Sequence, residues 1–480
     1  MGSKNNKPFV PACLFTFMHK FSGMVEVLRS INPATGQVLG SYEVTTEEQV
    51  GKAVKQAEKA FSGWRSLSFS ERGALLRSVA KQLRARKQYL AELATREMGK
   101  PIGQSIAEVE KCAMSFDFYA KNGPAFLKDE VVETDARRSY VSFQPLGIVL
   151  AIMPWNFPYW QVFRAMGPAI MAGNAMLLKH ASNVSGCALA IEKIMKDAGA
   201  PKGLFQTLLI PSSNIADLIA NPAIAAVTLT GSTEAGRKVA SLAGSHIKKQ
   251  VLELGGSDAY IILEDADMDL AIKTCVDGRL VNSGQSCVAA KRFVAVKAIR
   301  KEFEQRMTEQ MKQATFGDPF DRKNKIGPLA RLDLRDQLHE QVLRSIEKGA
   351  KLLCGGYIPE GEGSYYPPTV LTNVKKGMPA YDEELFGPVA AIIEAKDEKE
   401  AIRIANDNIY GLGAGIFSKN RKRAEQIAAR ELNAGNCFVN SFVHSDPRLP
   451  FGGTKQSGYG RELSIFGIRE FVNIKTVFVR

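Results

Sequence analysis

Six consecutive apolar residues, Ile148 to Met153, stopped by Pro154, constrain this chain more than any other feature. A strand exposed on one face alternates apolar and polar residues. An unbroken run of this length reads instead as a strand covered on both faces, as in a parallel sheet flanked by helices. The following segments keep to that plan. Trp160 to Ala172 is patterned as a helix, Gly173 and Asn174 as a turn, and Met176 to Leu178 as a strand. The helix Ser185 to Ala198 leads to a strand at Gln206 to Ile210, stopped by Pro211. Strand Ala226 to Thr230, helix Glu234 to Ala243 and strand Val251 to Leu254 complete the series. Alternation at this spacing predicts a parallel, doubly wound α/β sheet. From Ile261 it repeats less regularly, with strands at Phe293 to Val296 and Ala390 to Ile393 and helices at Glu304 to Gln313 and Asp333 to Lys348. No fixed-period repeat or low-complexity linker intervenes, so two α/β domains without a flexible tether are expected.

Ahead of the sheet, Val50, Val54, Ala57 and Phe61 share one helical face, ending at Gly63. Ser68 with Glu71 reads as a capping box. Leu76, Val79, Leu83, Leu90 and Leu93 predict one amphipathic helix ending near Gly99, and a third helical stretch runs from Ile102 to Tyr119. Val131, Val132, Tyr140, Val141 and Phe143 read as hairpin strands.

Composition narrows the function classes. With 45% hydrophobic residues over 480, the chain can bury cores of two to three domains, and disorder is excluded as its dominant state. No apolar run approaches the ~18 residues that cross a bilayer, so no membrane span is expected. The net charge of +13 raises a nucleic-acid reading, but the basic residues are dispersed and paired with acids. The densest cluster, Lys419 with Arg421 to Arg423, precedes Glu425 in a helical pattern and reads as a solvated face. Seven cysteines without a CxxC pair and five scattered histidines suggest no disulfide framework and no metal site. A reducing, cytoplasmic setting is expected. Residues 1–23 read as a poorly ordered leader, or as sequence upstream of a start at Met24, rather than a signal peptide.

Ligands of open α/β sheets bind at the carboxyl ends of strands. Those ends carry Pro154-Trp155-Asn156-Phe157-Pro158, Lys179, Gly231-Ser232 and Glu253. Each has a bland alternative: a turn residue, a surface cation, a helix cap, a solvated carboxylate. Glu253 is the most telling, since a charge inside an apolar strand is costly without a partner or a task. Gly231 to Gly236 follows a strand and opens a helix, so its amides can face a phosphate. It nearly fits a nucleotide-binding P-loop, but Arg237-Lys238 stand where Lys-Ser or Lys-Thr is required, and the GxGxxG fingerprint is absent. Asn282 to Ser286 form a small, polar, Gly-containing turn that can expose the thiol of Cys287; the alternative is one more buried cysteine.

Together these segments resemble the aldehyde dehydrogenase superfamily from about Ile31 to the C-terminus. The match rests on Pro154 to Pro158, Thr230 to Ser232, Leu252 to Gly256, Asn282 to Cys287, Glu383 to Pro388, Pro450 to Gly453 and Lys455 to Gly458, in the family's order. Leu178 to His180, Leu252 to Asp258 and Asp446 to Gly453 look closest to bacterial NAD(P)-dependent succinate-semialdehyde dehydrogenases. The resemblance implies that Cys287 attacks the aldehyde, that the Asn156 amide and the Cys287 N–H hold the oxyanion, and that Glu253 activates water against the thioester. It implies cofactor contacts from Trp155, Lys179, Gly231, Ser232, Glu384 and Phe386. Ser182 stands where NAD-preferring members often carry Glu, so NADP is expected to be accepted, with NAD not excluded.

For a substrate carboxylate, the resemblance points to Arg164, with an interdomain salt bridge as the alternative. The position of a second family arginine is Val281 here, and Arg448 is a candidate replacement. The family's architecture implies two Rossmann-like domains and a small β oligomerisation arm. Residues 24–121 and 143–254 would bind cofactor, 255–440 would carry the nucleophile, and 122–142 with 441–480 would form the arm and tail of a homodimer or homotetramer. Competing readings are a dehydrogenase of another small aldehyde, a phosphate-binding NTPase built on the Gly231 loop, and a non-catalytic binding protein that keeps the fold.

Overall fold

The computed structural model describes residues 27–480; the expected leader lies outside them. After an antiparallel strand pair, Val27–Ile31 with Val38–Glu43, come four helices: α1 (Glu47–Trp64), α2 (Phe69–Ala85), α3 (Lys87–Met98) and α4 (Ile102–Phe126). Thr46 and Ser68 cap α1 and α2 with reciprocal bonds to Gln49 and Glu71, the predicted box at Ser68 included. The single helix expected across Leu76 to Leu93 is instead two, because Arg86 leaves helical geometry (φ −110°, ψ 14°). Helix α4 outruns its expected end by two turns. Its last turns are held by tertiary packing, with Gly123 lying against Met171, where a Cβ would come within 2.5 Å of the Met171 side chain.

The chain then makes β1 (Glu130–Val131), β2 (Arg138–Pro145) and β3 (Ile148–Met153), the last buried at every residue. Helix α5 (Trp160–Ala172) leads to β4 (Ala175–His180), α6 (Ser185–Asp197), β5 (Phe205–Thr207), β6 (Ile224–Thr230), α7 (Thr233–Ser245) and β7 (Lys249–Glu253). The strand expected at Gln206 to Ile210 ends early because Leu209 pairs with Thr45 instead of continuing the ladder. Strand β3 lies between β4 and β6 and is parallel to both. The sheet therefore winds outward in two directions from β3, with its topological switch between β3 and β6.

The second sheet contains β8 (Ala259–Ile262), β9 (Arg292–Val296), β10 (Lys351–Cys354), β11 (Thr369–Thr372), β12 (Val389–Ala395), β13 (Gly413–Phe417) and β14 (Asn436–Val439). Their order is β10-β11-β12-β9-β8-β13-β14, parallel except for β10. Helix α8 (Met268–Leu280) crosses from β8 toward β9. Strand β15 (Gly458–Tyr459) returns to pair with the end of β7. Strand β16 (Val472–Val479) runs along β2 for eight residues, so β1, β2 and β16 form a separate three-stranded sheet. Buried apolar side chains fill one core around the first sheet and one on each face of the second.

Candidate active site

The switch point determines where the site can be. Strand β3 delivers Pro154, Trp155 and Asn156 to its carboxyl end, and β6 delivers Gly231 and Ser232. The Ser232 hydroxyl accepts the Ala235 N–H at 3.2 Å and caps α7. Gly236 lets this first turn lie against the end of the sheet, since a Cβ there would come within 2.5 Å of Leu254. Lys238 pairs with Glu234 on the exposed face and Arg237 bonds Gln456, so neither cation faces the loop. That removes the P-loop reading.

The loop leading to Cys287 is conformationally unusual. Asn282 (φ 52°), Ser283 (φ 56°) and Gly284 (φ 76°) are consecutive left-handed residues, a combination costing about 1–3 kcal/mol at each non-glycine position. Side chains hold it in place. Asn282 Nδ2 donates to Asn156 O at 2.6 Å and to Gln285 O at 3.0 Å. Ser283 Oγ bonds the Gly327 backbone in both senses, donating to its carbonyl and accepting from its N–H. Asn156 Nδ2 donates to Gln285 O at 3.1 Å. Because that partner is only an acceptor, the amide's NH₂ must face the loop. One N–H anchors it and the second remains for another acceptor. Lys291 Nζ donates to the carbonyls of Ser286 and Cys287 at 2.9 and 2.7 Å and pairs with Glu384 at 3.1 Å. Burial pushes the Cys287 thiol up to about 11, with Arg164 and Lys291 pulling in the opposite direction. It rests as a thiol.

Glu253 closes β7 with both carboxylate oxygens buried and unbonded among the described residues. Burial, then repulsion from Glu462, raises it well above the ordinary carboxylate range, and Arg164 opposes them. A Cβ on Gly452 would come within 2.7 Å of Glu253 Oε1, so the carboxylate faces that glycine and the buried Arg164–Glu462 ion pair. Arg164 Nε pairs with Glu462 there. It also bonds Thr230 Oγ1 at 3.3 Å and lies over the Phe451 ring. It thus makes the buried salt bridge that the sequence reading weighed beside a role on the substrate carboxylate. Arg448 is exposed and bonded twice to Asp446, and it does not line the cavity that holds Cys287.

Asn156 and Cys287 meet in a cavity of about 430 Å³ that also takes in Trp155, Thr230, Gly231, Ser232, Glu384 and Phe386. Trp155 and Phe386 pack edge to face at 5.7 Å. Glu384 reaches the cavity across Gly255, where a Cβ would lie 2.4 Å from its Oε2. A helix N-terminus, a carboxylate suited to a diol and two aromatic walls fit an elongated, phosphate-bearing ligand such as a dinucleotide. Lys179 and Ser182 stand outside this lining, at the end of β4, where Lys179 donates to Ser212 Oγ and Ser182 is exposed. Lys291 and Glu462 are site residues that the sequence reading missed. Both are ordinary charges in sequence, and only their burial marks them. Among the described residues no three His, Cys, Asp or Glu cluster to hold a metal, and no helix is long and apolar enough to cross a membrane.

A cysteine thiol fixed beside an amide donor, at the switch point of a dinucleotide-type sheet, is an arrangement suited to an oxidoreductase. The aldehyde dehydrogenase family model matches residues 21–477, and the chain belongs to that family. It is 49% identical over 449 residues to Escherichia coli Sad, named as a succinate semialdehyde dehydrogenase using NAD(P)+, with 94% of this chain and 97% of that protein covered. A Synechocystis protein named as a probable NADP(+) succinate-semialdehyde dehydrogenase is also 49% identical, covering 94% and 99%. The crystal structure of succinic semialdehyde dehydrogenase from Streptococcus pyogenes with NADP+ superposes with a TM-score of 0.92 at 38% identity, covering 94% and 99%.

Proposed function

We propose that this chain oxidises succinate semialdehyde to succinate with NADP+ or NAD+. The observation carrying the proposal is the convergence of the Cys287 thiol and the Asn156 amide in one cavity at the sheet's switch point. Cys287, once deprotonated, adds to the aldehyde carbon and forms a thiohemiacetal. The oxyanion is held by the free N–H of Asn156 and the Cys287 backbone N–H. A bound nicotinamide supplies the acceptor for the hydride that leaves this carbon. Gly231 and Ser232 at the α7 N-terminus, Glu384, Phe386 and Trp155 hold that cofactor, with Lys179 and Ser182 at its adenosine end. Ser182 offers a hydroxyl rather than a carboxylate to a 2′-phosphate, which supports use of NADP+. Glu253, turned from Gly452 toward the thioester, takes a proton from the attacking water, and its raised pKa suits a base working near neutrality.

The three-stranded sheet of β1, β2 and β16 serves as the arm of a homodimer or homotetramer, and six free cysteines among the described residues suit a cytoplasmic location. The test follows reduced nicotinamide by its near-ultraviolet absorbance, with succinic semialdehyde and propanal, each with NADP+ and NAD+. Selective turnover of the semialdehyde is expected. Equal or better use of propanal would sink the substrate proposal while leaving a general aldehyde dehydrogenase.

A further inference from the structure

The turn that carries Asn156 has no cap of its own. Helix α5 starts at Trp160, and its N-cap Tyr159 makes no side-chain bond to the first turn. Pro158, having no N–H, offers only its carbonyl. The polar groups between β3 and α5 therefore depend on side chains from elsewhere.

Three buried side chains supply what is missing, and none is more than 5% exposed. Glu108 of α4 accepts the N–H groups of Tyr159 and Trp160 on one carboxylate oxygen, at 2.9 and 2.8 Å, and pairs with Lys100 through the other. Lys100 Nζ in turn lies 3.8 Å from the centre of the Phe157 ring. His180, the last residue of β4, reaches Pro158 O from the neighbouring strand at 2.8 Å. A carbonyl only accepts, so Nε2 carries the proton, while Nδ1 accepts the Ala181 N–H at 2.9 Å. Burial, helped by the charge of Lys179, pushes His180 down to about 4, so the ring is neutral near pH 7 and keeps both bonds.

On its other side the same turn meets the loop leading to Cys287, through Asn156 Nδ2 on Gln285 O and Asn282 Nδ2 on Asn156 O. An oxyanion donor works only within about 2.7–3.1 Å of the charge it meets, so the turn has to be fixed from the sheet as well as from the loop. We infer that His180 is a positioning residue for the Asn156 donor: its Nε2–H holds the Pro158 carbonyl and completes the brace that Glu108 and Lys100 begin. This rests on the oxyanion role given to Asn156 in the proposed function. His180 acts through Asn156 and touches no reacting atom.

Two substitutions separate the ring's two bonds. His180→Gln places an amide N–H near Nε2 and keeps the bond to Pro158 O. His180→Asn is shorter, places its oxygen near Nδ1, and keeps only the bond from Ala181. Both are assayed with whichever of succinic semialdehyde and propanal wild type turns over faster. We expect kcat to fall about ten- to hundredfold in His180→Asn and to stay within about threefold of wild type in His180→Gln. Neither KM for NADP+ nor alkylation of Cys287 by iodoacetamide involves an oxyanion, so both should hold within about twofold in either variant. In an Asn156→Ala background His180→Asn should cost nothing further, because the donor it positions is gone. A full second loss in that background would make His180 a structural residue, as would equal turnover by His180→Asn and His180→Gln. A wild-type kcat in Asn156→Ala alone would refute the oxyanion role itself, and this inference with it.

Discussion

Burial raises the pKa of both groups that we assign to opposite ends of the reaction, Cys287 and Glu253. Glu253 carries the clearer consequence. Its folded pKa exceeds its unfolded value, so the folded state holds that proton more tightly. Stability is therefore greatest below the ordinary carboxylate pKa and is lost as pH rises toward the folded value. Glu253→Gln removes that loss. It should melt about 2–4 °C above wild type at pH 8 and level with it near pH 4 in a calorimetric scan. The same change should slow turnover about 10²- to 10⁴-fold and leave an acyl adduct on Cys287 visible by intact mass. A variant that melts higher yet turns over normally would remove Glu253 from the hydrolytic step. For Cys287, Arg164 and then Lys291 oppose the effect of burial, and the carbonyl bond holds Lys291 in place. Lys291→Met should raise the thiol further and slow its alkylation by iodoacetamide about tenfold at pH 8.

At the scale of elements, loop geometry carries the catalytic order. Gly284 has a left-handed φ, and a Cβ there would lie 2.3 Å from the Gly387 backbone, which cannot move aside as a side-chain tip would. Gly284→Ala should cost about 1–3 kcal/mol of stability and displace Cys287 from Asn156. Activity should fall further than the melting temperature predicts; proportionate losses would mean that the loop tolerates the shift. The sequence made the first sheet legible because β3 is a continuous apolar run and its neighbours end in Pro or Gly punctuation. The nucleophile turn was legible for its small polar residues, but its three left-handed positions were not, since Asn282 and Ser283 carry no glycine to announce them. Arg164 was ambiguous for a related reason. An arginine beside a site motif looks the same whether it faces a ligand or a buried glutamate almost 300 positions away, and only the return of β15 and the following segment brings Glu462 to it.

At the scale of the whole molecule, the three-stranded sheet carries apolar residues that the described residues leave uncovered. Strand β16 pairs with β2 along its full length, yet Ile474, Phe478 and Val479 remain exposed, as do Val131 and Val132 at the opposite edge of the same sheet. A long edge strand with apolar side chains is a template for another chain, and soluble proteins cover such edges or charge them. Lys475 is the only charge within β16, too little to blunt it. A second copy fits because closed, symmetric pairing uses the same patch on both sides and leaves no open edge to propagate. Ile474→Lys with Phe478→Glu should shift the mass measured by light scattering from an oligomer to a single chain. Neither position touches the cavity that holds Cys287, so the thiol's alkylation rate should stay within about twofold of wild type if the subunit is a self-sufficient catalytic unit. A monomer already present in wild type would refute the arm as an assembly surface. An altered alkylation rate in the dissociated variant would instead show that the partner's contact with the arm supports the loop holding Cys287.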